Sequence, residues 1–193
     1  MFTDIPLPIR QRLQWDAVAE FSTTNDSIGR RISEVLSRLG STCVDATACV
    51  GGMTRFLSTH FEHVTAYEID SERFNYLKHN MEILGMNNVT CVHGDCLGLE
   101  TRTDVIFIDP PWGGPGYKNS TSLRLTLSGQ PLHEVCDKLS KYTKYIALKV
   151  PQNFDEHHLL SCVTRCVPYS KLQFIRMNFL ILKTCHGDTW THG

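Results

Sequence analysis

The sequence lacks several features that would indicate a membrane protein, a secreted protein or a binder of long nucleic acids. Its 19 basic and 20 acidic residues leave a formal net charge of -1, which argues against bulk electrostatic binding to long DNA or RNA. No apolar run reaches the length of a transmembrane helix. Residues 1–12 lack the apolar core of a signal peptide. We therefore expect a protein of the nucleus or cytoplasm that is not secreted and has no membrane contact, and we expect a monomer.

Cysteine is abundant, but its spacing does not form a recognisable metal-binding pattern. The chain has 8 cysteines and 9 histidines, yet no CxxC pair occurs and no Cys/His pair follows at zinc-like spacing. Reduced thiols, mostly buried, in a reducing compartment explain this usage better. We therefore expect no metal.

The loop after the first predicted strand lacks two familiar nucleotide-binding patterns. It contains only Gly51 and Gly52, so it is not a GxGxxG dinucleotide fingerprint. It also lacks the Gly-Lys-Ser/Thr of a phosphate-binding P-loop. Such a loop of small residues favours a ligand without phosphates whose atoms pass close to the backbone.

The sequence does contain a regular alternation of strand and helix patterns, which predicts an α/β fold with a doubly wound, mostly parallel sheet. The tail, residues 172–184, predicts two antiparallel strands near the C-terminus. We interpret residues 1–20 as an N-terminal arm, residues 21–193 as a single domain, and the polar segment 118–130 as a loop that could form a lid. The predicted helices are 27–39, 53–60, 71–84, 132–139 and 154–163, and the predicted strands are 43–45, 64–68, 89–92, 105–108 and 145–150.

Four predicted strands end in a carboxylate: Asp45, Glu68, Asp95 and Asp109. One such residue is usually a turn residue or a helix cap. Four such carboxylates at the same edge of a parallel sheet indicate a ligand site. Glu68 suits the two hydroxyls of a ribose, since a carboxylate accepts from both, and Asp95 suits the amino group of adenine. A nucleoside that carries a positively charged amino-acid tail, S-adenosylmethionine, fits this set.

The fourth strand runs into Asp109-Pro110-Pro111-Trp112, followed by Gly113-Gly114-Pro115-Gly116-Tyr117. The two prolines fix the backbone angle φ and remove two backbone N–H donors, so the chain leaves the sheet on a stiff turn. A tryptophan held on such a turn among small residues indicates stacking on a ligand rather than burial alone.

These segments resemble a known motif series. Val44-Asp45-Ala46 with Gly51-Gly52, Glu68-Ile69-Asp70, Gly94-Asp95 and the Asp109 turn resemble class I (Rossmann-like) methyltransferases that modify exocyclic amino groups. The extended string from Pro110 to Tyr117 and the segment Phe21-Ser22-x-Thr24 resemble the trimethylguanosine synthase family, which converts 7-methylguanosine RNA caps to the 2,2,7-trimethyl form. Three positions depart from the family: Cys49 replaces a loop glycine, Asp109 stands where animal members commonly have serine, and a lysine expected near Gln14 is absent.

The resemblance implies a cap guanosine-N2 methyltransferase that yields 2,7-dimethyl- and/or 2,2,7-trimethylguanosine, with capped RNA as its partner. The carboxylate of Asp109 and the carbonyl of Pro110 are the expected catalytic pair. By accepting hydrogen bonds from the N2 amino group of guanine, they would direct the nitrogen lone pair at the methyl group of S-adenosylmethionine. Trp112 is expected to stack on the cationic base, with Pro111, Tyr117, Lys118 and Arg124 as further substrate-binding residues. Expected contacts to S-adenosylmethionine are Phe21, Thr24, Asp45, Ala46, Gly51, Glu68, Asp95, Cys96 and Asp109.

Two alternatives stay open. An adenine-N6 or rRNA guanine-N2 methyltransferase shares the short Asp-Pro-Pro-aromatic motif. A catalytically inactive subunit that binds cap or cofactor is the other alternative, and the replacement of the loop glycine by Cys49 is the observation that keeps it open.

Overall fold

The computed structural model describes residues 2–22 and 24–185, without the side chains of residues 21, 22 and 115. The chain divides into two compact units, Met1–Gly98 and Leu99–Gly193. No helix in the described ranges is both long enough and apolar enough to cross a membrane.

The first unit is built on three parallel strands, β1 (Thr42–Asp45), β2 (His63–Glu68) and β3 (Val89–His93), in the order β3-β2-β1. In the sheet Cys43 lies opposite Val64, and Val64 lies opposite Val89. The Asn25 side chain caps one helix of this unit by accepting a hydrogen bond of 3.0 Å from the Ser27 amide. The elements of this unit are α1 (Leu7–Arg10), α2 (Ala17–Ser22), α3 (Asp26–Ser37), β1 (Thr42–Asp45), α4 (Thr54–Ser58), β2 (His63–Glu68), α5 (Ser71–Ile83) and β3 (Val89–His93), then a 3-10 turn at Cys96–Gly98.

The N-terminal residues pack on this first unit. Phe2 and Leu13 are buried in a cluster with Val50, a residue of the loop after β1. Asn80 on α5 is fully buried and links the N-terminal arm to the loop after β1. Its Nδ2 donates to the carbonyls of Gln14 and Val50, each within 2.9 Å. The arm therefore supports the loop that follows β1, whereas the division of the chain after residue 20 stays a prediction.

The larger sheet of the second unit has the strand order β4 (Thr103–Ile108), β7 (Thr143–Pro151), β9 (Met177–Thr184) and β8 (Cys166–Gln173). Strands β4 and β7 are parallel, and the other neighbouring pairs are antiparallel. From Ile146 to Pro151 the strand β7 is buried at every residue, which explains its almost wholly apolar sequence. The elements are β4 (Thr103–Ile108), a 3-10 helix (Gly114–Asn119), β5 (Thr126–Leu127), β6 (Gln130–Pro131), α6 (Leu132–Leu139), a 3-10 turn (Ser140–Tyr142), β7 (Thr143–Pro151), α7 (Glu156–Cys162), β8 (Cys166–Gln173) and β9 (Met177–Thr184).

The mostly parallel pairing and the alternation of strands and helices confirm the predicted α/β class, with antiparallel strands near the C-terminus. The position of the antiparallel pair was wrong, because both strands were expected within 172–184. The first, β8, lies upstream and forms the edge of its sheet, where most of its side chains are exposed. It contains Pro168, which edge strands tolerate, so it has no continuous apolar run to reveal it.

The polar segment that was expected to be a loop contains a small hairpin of β5 and β6. Its two central residues, Ser128 and Gly129, have φ values of 51° and 76°, which is the left-handed pair of a type I′ turn. Ser128 is an unusual residue for such a turn, and for this reason the sequence did not indicate the hairpin.

Candidate active site

The loop after β1 is organised by Asp45. This residue is completely buried, and its carboxylate accepts a hydrogen bond of 2.7 Å from the Thr54 hydroxyl at the start of α4. The amide of Thr47 donates to the other oxygen at 3.3 Å. Asp45 therefore holds both ends of the loop and places its carboxyl group at the end of the strand.

The backbone of this loop is tightly packed. The amide of Ala48 donates to the carbonyl of Tyr67 on β2 at 2.9 Å. Gly51 has φ +94°, and a Cβ there would overlap the terminal methyl of Met81. Cys49, which stands where the family has a glycine, adopts φ +51°, the left-handed region that glycine favours. Cys49 therefore has a backbone conformation that a glycine would readily adopt, and Ala46, at the start of the same loop, is buried.

Glu68 is the last residue of β2 and Asp95 lies two residues after β3, and the amide of Gly94 donates to the Glu68 carbonyl at 2.9 Å. Glu68 is 8% exposed; its Oε1 accepts from the Asp70 amide, and within the described residues no bond to Oε2 is present. Asp95 accepts from the Leu97 amide at 2.9 Å. One oxygen of the nearly buried Glu68 carboxylate is thus held by the backbone, and its contact with the ribose of S-adenosylmethionine stays a prediction.

Three further predicted cofactor residues lie in the same unit. Cys96 is buried beside Asp95, and burial, reinforced by that carboxylate, raises the pKa of its thiol to about 12, so it remains protonated. Thr24 is buried just before α3. Phe21 belongs to α2, but its side chain lies outside the described residues. The roles of these residues in cofactor binding stay predictions.

Asp109 follows β4 in the second unit and forms an ion pair that the sequence did not predict. Lys149 of β7 donates from Nζ to Asp109 Oδ2 at 2.6 Å. The lysine is only 4% exposed and the carboxylate 19%. Burial raises the pKa of Asp109, and the ammonium of Lys149 opposes that rise. Lys149 therefore favours the ionised, hydrogen-bond-accepting form of this carboxylate and fixes its orientation.

Trp112 lies close to the same lysine. Its ring centroid is 5.5 Å from Lys149 Nζ and 5.2 Å from the ring of Tyr117, which meets it edge-on at 76°. The indole Nε1 is buried and makes no hydrogen bond with the part of the chain that the structure describes. Gly113 and Gly114 have φ values of +86° and +68°, a sharp reversal that larger residues disfavour. Trp112 is thus half-buried on a rigid turn, next to the buried Pro110 and the exposed Pro111.

Asn153 holds the segment that follows. Its side-chain amide donates to the carbonyls of Tyr117 at 2.8 Å and Ser120 at 2.7 Å. Lys118 is exposed, with Nζ 5.9 Å from the Tyr117 ring. Arg124 is 65% exposed and pairs with Asp155 at 3.3 Å. Of the two cations predicted to bind the substrate, Lys118 lies beside the Trp112–Tyr117 pair and Arg124 is engaged with a carboxylate.

Two residues of this site were missed by sequence reasoning. Lys149 had a signal: it is a single charge within a strand that is otherwise apolar between Tyr145 and Val150, and a buried charge requires a partner. Asn153 had no such signal in the sequence, because an asparagine two positions after a proline is an ordinary turn residue.

Comparison with known proteins adds a family and a fold. The family model described as RNA cap guanine-N2 methyltransferase matches residues 40–181. An uncharacterized protein of Acanthamoeba polyphaga mimivirus is 30% identical over 146 residues, which is 72% of this chain and 57% of that protein. The trimethylguanosine synthase of Schizosaccharomyces pombe is 31% identical over 126 residues, which is 60% of this chain and 52% of that protein. The chain thus spans little more than half the length of these relatives.

Solved structures are similar over most of the chain. A putative methyltransferase from Escherichia coli superposes with a TM-score of 0.63 at 16% identity, covering 89% of this chain and 90% of that one. A putative class I S-adenosylmethionine-dependent methyltransferase from Listeria monocytogenes superposes with a TM-score of 0.62 at 18% identity, covering 84% of this chain and 60% of that one. At these identities the likeness shows the fold, which is that of the class I methyltransferases.

Proposed function

The chain belongs to the RNA cap guanine-N2 methyltransferase family, as its motifs predicted, and we propose that it methylates N2 of 7-methylguanosine caps. The products would be 2,7-dimethyl- and/or 2,2,7-trimethylguanosine. The observation that carries the proposal is the turn from Asp109 to Trp112, which presents an oriented carboxylate and a large aromatic ring beside a buried lysine.

The cofactor is expected to be held by the first unit. S-adenosylmethionine supplies a methyl group on a positively charged sulfonium. The second oxygen of Glu68 would accept from a ribose hydroxyl, and Asp95 from the adenine amino group. The buried charge of Asp45 favours a cationic ligand near the loop that it organises, and the close packing around Gly51 keeps that loop in one conformation.

The acceptor chemistry is assigned to the Asp109 turn. The lone pair of guanine N2 is delocalised into the ring, so the amino group is a weak nucleophile. Hydrogen bonds from its N–H groups to the Asp109 carboxylate and the Pro110 carbonyl would draw it toward a tetrahedral geometry and aim the lone pair. Transfer is an in-line displacement, for which positioning supplies much of the acceleration. No strong general base is required, because the N2 proton becomes acidic only after the methyl group has been transferred.

Trp112 is assigned to selection of the methylated base. A 7-methylated guanine is positively charged, and a tryptophan face contributes ~1–2 kcal/mol to binding such a cation when water is excluded. That energy corresponds to roughly 5–30-fold in affinity. Lys149 also carries a positive charge near this ring, and its pairing with Asp109 reduces the repulsion that a cationic base would meet.

The reaction is tested with labelled S-adenosylmethionine and four separate acceptors: a 7-methylated cap dinucleotide, the unmethylated dinucleotide, single-stranded RNA and single-stranded DNA. Mass spectrometry of the products identifies the acceptor and the number of methyl groups. We expect transfer to the 7-methylated cap. Transfer only to adenine or to uncapped RNA would favour the alternative enzymes, and cofactor binding without transfer to any acceptor would favour an inactive binding subunit.

The role of Trp112 is tested separately by binding measurements. Trp112→Ala should weaken binding of the 7-methylated cap by ~5–30-fold, and Trp112→Phe by less, while affinity for S-adenosylmethionine stays unchanged. Trp15→Phe, in the N-terminal arm, is the control. Loss of both ligands in Trp112→Ala would instead make the residue structural, and equal methylation of the unmethylated cap would contradict selection by charge.

Capped RNA as the partner, a monomeric state and a location in the nucleus or cytoplasm belong to the same proposal. They follow from the expected substrate and from the composition.

A further inference from the structure

Three side chains that commonly bind metals converge in the second unit, apart from the Asp109 turn. They are His133, His158 and Cys162, and one ligand atom from each lies within 4.8 Å of the other two. The Cys162 sulfur is 3.7 Å from His158 Nδ1. The two imidazole rings are perpendicular, with centroids 5.6 Å apart. All three side chains are partly exposed, so an ion can reach them.

The fold explains why these residues meet. His158 and Cys162 are four residues apart on α7 and therefore lie on one face of that helix, one turn from each other. His133 is the second residue of α6, which packs beside α7. The sequence spacing between the two helices is long, so no CxxC-like pattern marks the group, and the sequence led us to expect no metal.

We propose that His133, His158 and Cys162 form a binding site for a divalent transition metal, with Zn²⁺ as the preferred ion. Imidazole and thiolate are the ligands that zinc favours, whereas Mg²⁺ and Ca²⁺ require oxygen ligands. With Zn–N of about 2.0 Å and Zn–S of about 2.3 Å, tetrahedral ligands lie roughly 3.3–3.6 Å apart. The sulfur–nitrogen distance of 3.7 Å is only slightly longer than this range. No separation in the group exceeds 4.8 Å, so a small rotation of the partly exposed side chains would bring the three atoms to this spacing.

We assign the fourth coordination position of the proposed site to water. Both histidines line a cavity of about 220 Å³ that is also lined by Asp155. A water molecule in this cavity would complete the tetrahedron. The Asp155 carboxylate already accepts from the His158 amide at 3.0 Å and from Arg124 Nε at 3.3 Å. Three protein ligands and one water make a site from which the ion exchanges more readily than from a closed site of four protein ligands.

Metal binding would tie α6 to α7, and the residues just before α7 support the acceptor turn. Asn153 holds Tyr117 and Ser120, and the Leu123 amide donates to the Asn153 carbonyl at 2.8 Å. We therefore assign the ion a structural role: it stabilises the part of the second unit on which Tyr117 depends. This inference does not rest on the proposed methyl transfer, and its test uses no methylation assay.

The test uses the full chain after dialysis against a chelator. Zn²⁺ is titrated by calorimetry and its effect on the melting temperature is measured, and Co²⁺ is then added as a spectroscopic probe. We expect one ion per chain, a higher melting temperature, and cobalt bands that indicate tetrahedral geometry with a thiolate-to-metal charge-transfer band. Cys162→Ser should abolish the charge-transfer band, and His158→Gln should weaken binding by at least ~10-fold, since loss of a ligand exceeds a second-shell effect.

Two variants control for unspecific binding. His157→Gln removes the exposed histidine next to His158, and Cys185→Ser removes an exposed cysteine outside the cluster. Both should bind Zn²⁺ as the unmodified chain does. Circular dichroism checks that Cys162→Ser and His158→Gln are folded. The proposal is overturned if the unmodified chain binds no Zn²⁺ or if the charge-transfer band survives in Cys162→Ser. Loss of binding in His157→Gln or Cys185→Ser would contradict the assigned ligands.

Discussion

The buried ion pair between Lys149 and Asp109 offers the sharpest test of how the acceptor turn is held. The two charged atoms are 2.6 Å apart, and at an effective dielectric constant of about 20 their attraction is on the order of 6 kcal/mol. Much of this offsets the desolvation of a lysine that is only 4% exposed. Lys149→Met removes the attraction and leaves the carboxylate without its cation. We expect a loss of ~3 kcal/mol in the free energy of unfolding, the low end for a buried pair, because Asp109 is partly exposed.

The loss should depend on pH in a defined direction. The ordinary pKa of an aspartate is 3.8, burial raises that of Asp109, and Lys149 opposes the rise. Without the ammonium the pKa rises further, so the folded variant binds a proton that the unfolded chain releases. Its stability therefore falls as pH increases from the ordinary pKa through the raised one. The deficit relative to the unmodified chain is largest at neutral pH and shrinks on acidification.

Urea denaturation across a pH series measures this deficit, and Lys144→Met is the matched control. Lys144 pairs with Asp104 at 2.7 Å between the same two strands, but its side chain is 21% exposed, so we expect a loss of only ~1 kcal/mol. The double variant Lys149→Met/Asp109→Asn removes both charges and should recover part of the loss. A deficit independent of pH, or no larger than that of Lys144→Met, would refute the reasoning.

Two further predictions concern the loop after β1, both measured by urea denaturation. Gly51→Ala should destabilise the chain by at least ~1 kcal/mol, because φ is +94° and the new Cβ overlaps Met81, whereas Gly98→Ala has open space and should change stability by less than half as much. Cys49→Val should cost ~1–2 kcal/mol, because a β-branched residue resists the left-handed conformation. Cys91→Val, in strand β3, should be nearly neutral, and equal losses in the two cysteine variants would contradict the strain at position 49.

The fold and the motifs were predictable because they depend on local patterns. Strands such as β4 and β7 have short apolar runs bounded by turn residues. Helix α5 is capped by Asp70, whose side chain accepts from the amides of Glu72 and Arg73. The edge strand β8 escaped prediction because one exposed face and a proline remove the apolar signal. The hairpin around Ser128 escaped because its turn uses an atypical residue.

The candidate site was only partly predictable. The acids at the strand ends, and the turn from Asp109 to Trp112, are contiguous in sequence and could be recognised there. The contacts that tune them are not contiguous: Lys149 lies 40 residues after its partner, and Asn153 lies 36 residues after Tyr117. Such pairs form only when strands and loops come together.

By itself, the sequence determined the α/β class, the row of carboxylates and the resemblance to the cap guanine-N2 methyltransferases, since periodicity and short motifs are properties of neighbouring residues. The tertiary structure alone decided which charges are paired and which ligands meet. It placed Lys149 against both Asp109 and Trp112, and it brought His133 to His158 and Cys162. These depend on the packing of distant segments, where burial and distance set the strength of each interaction.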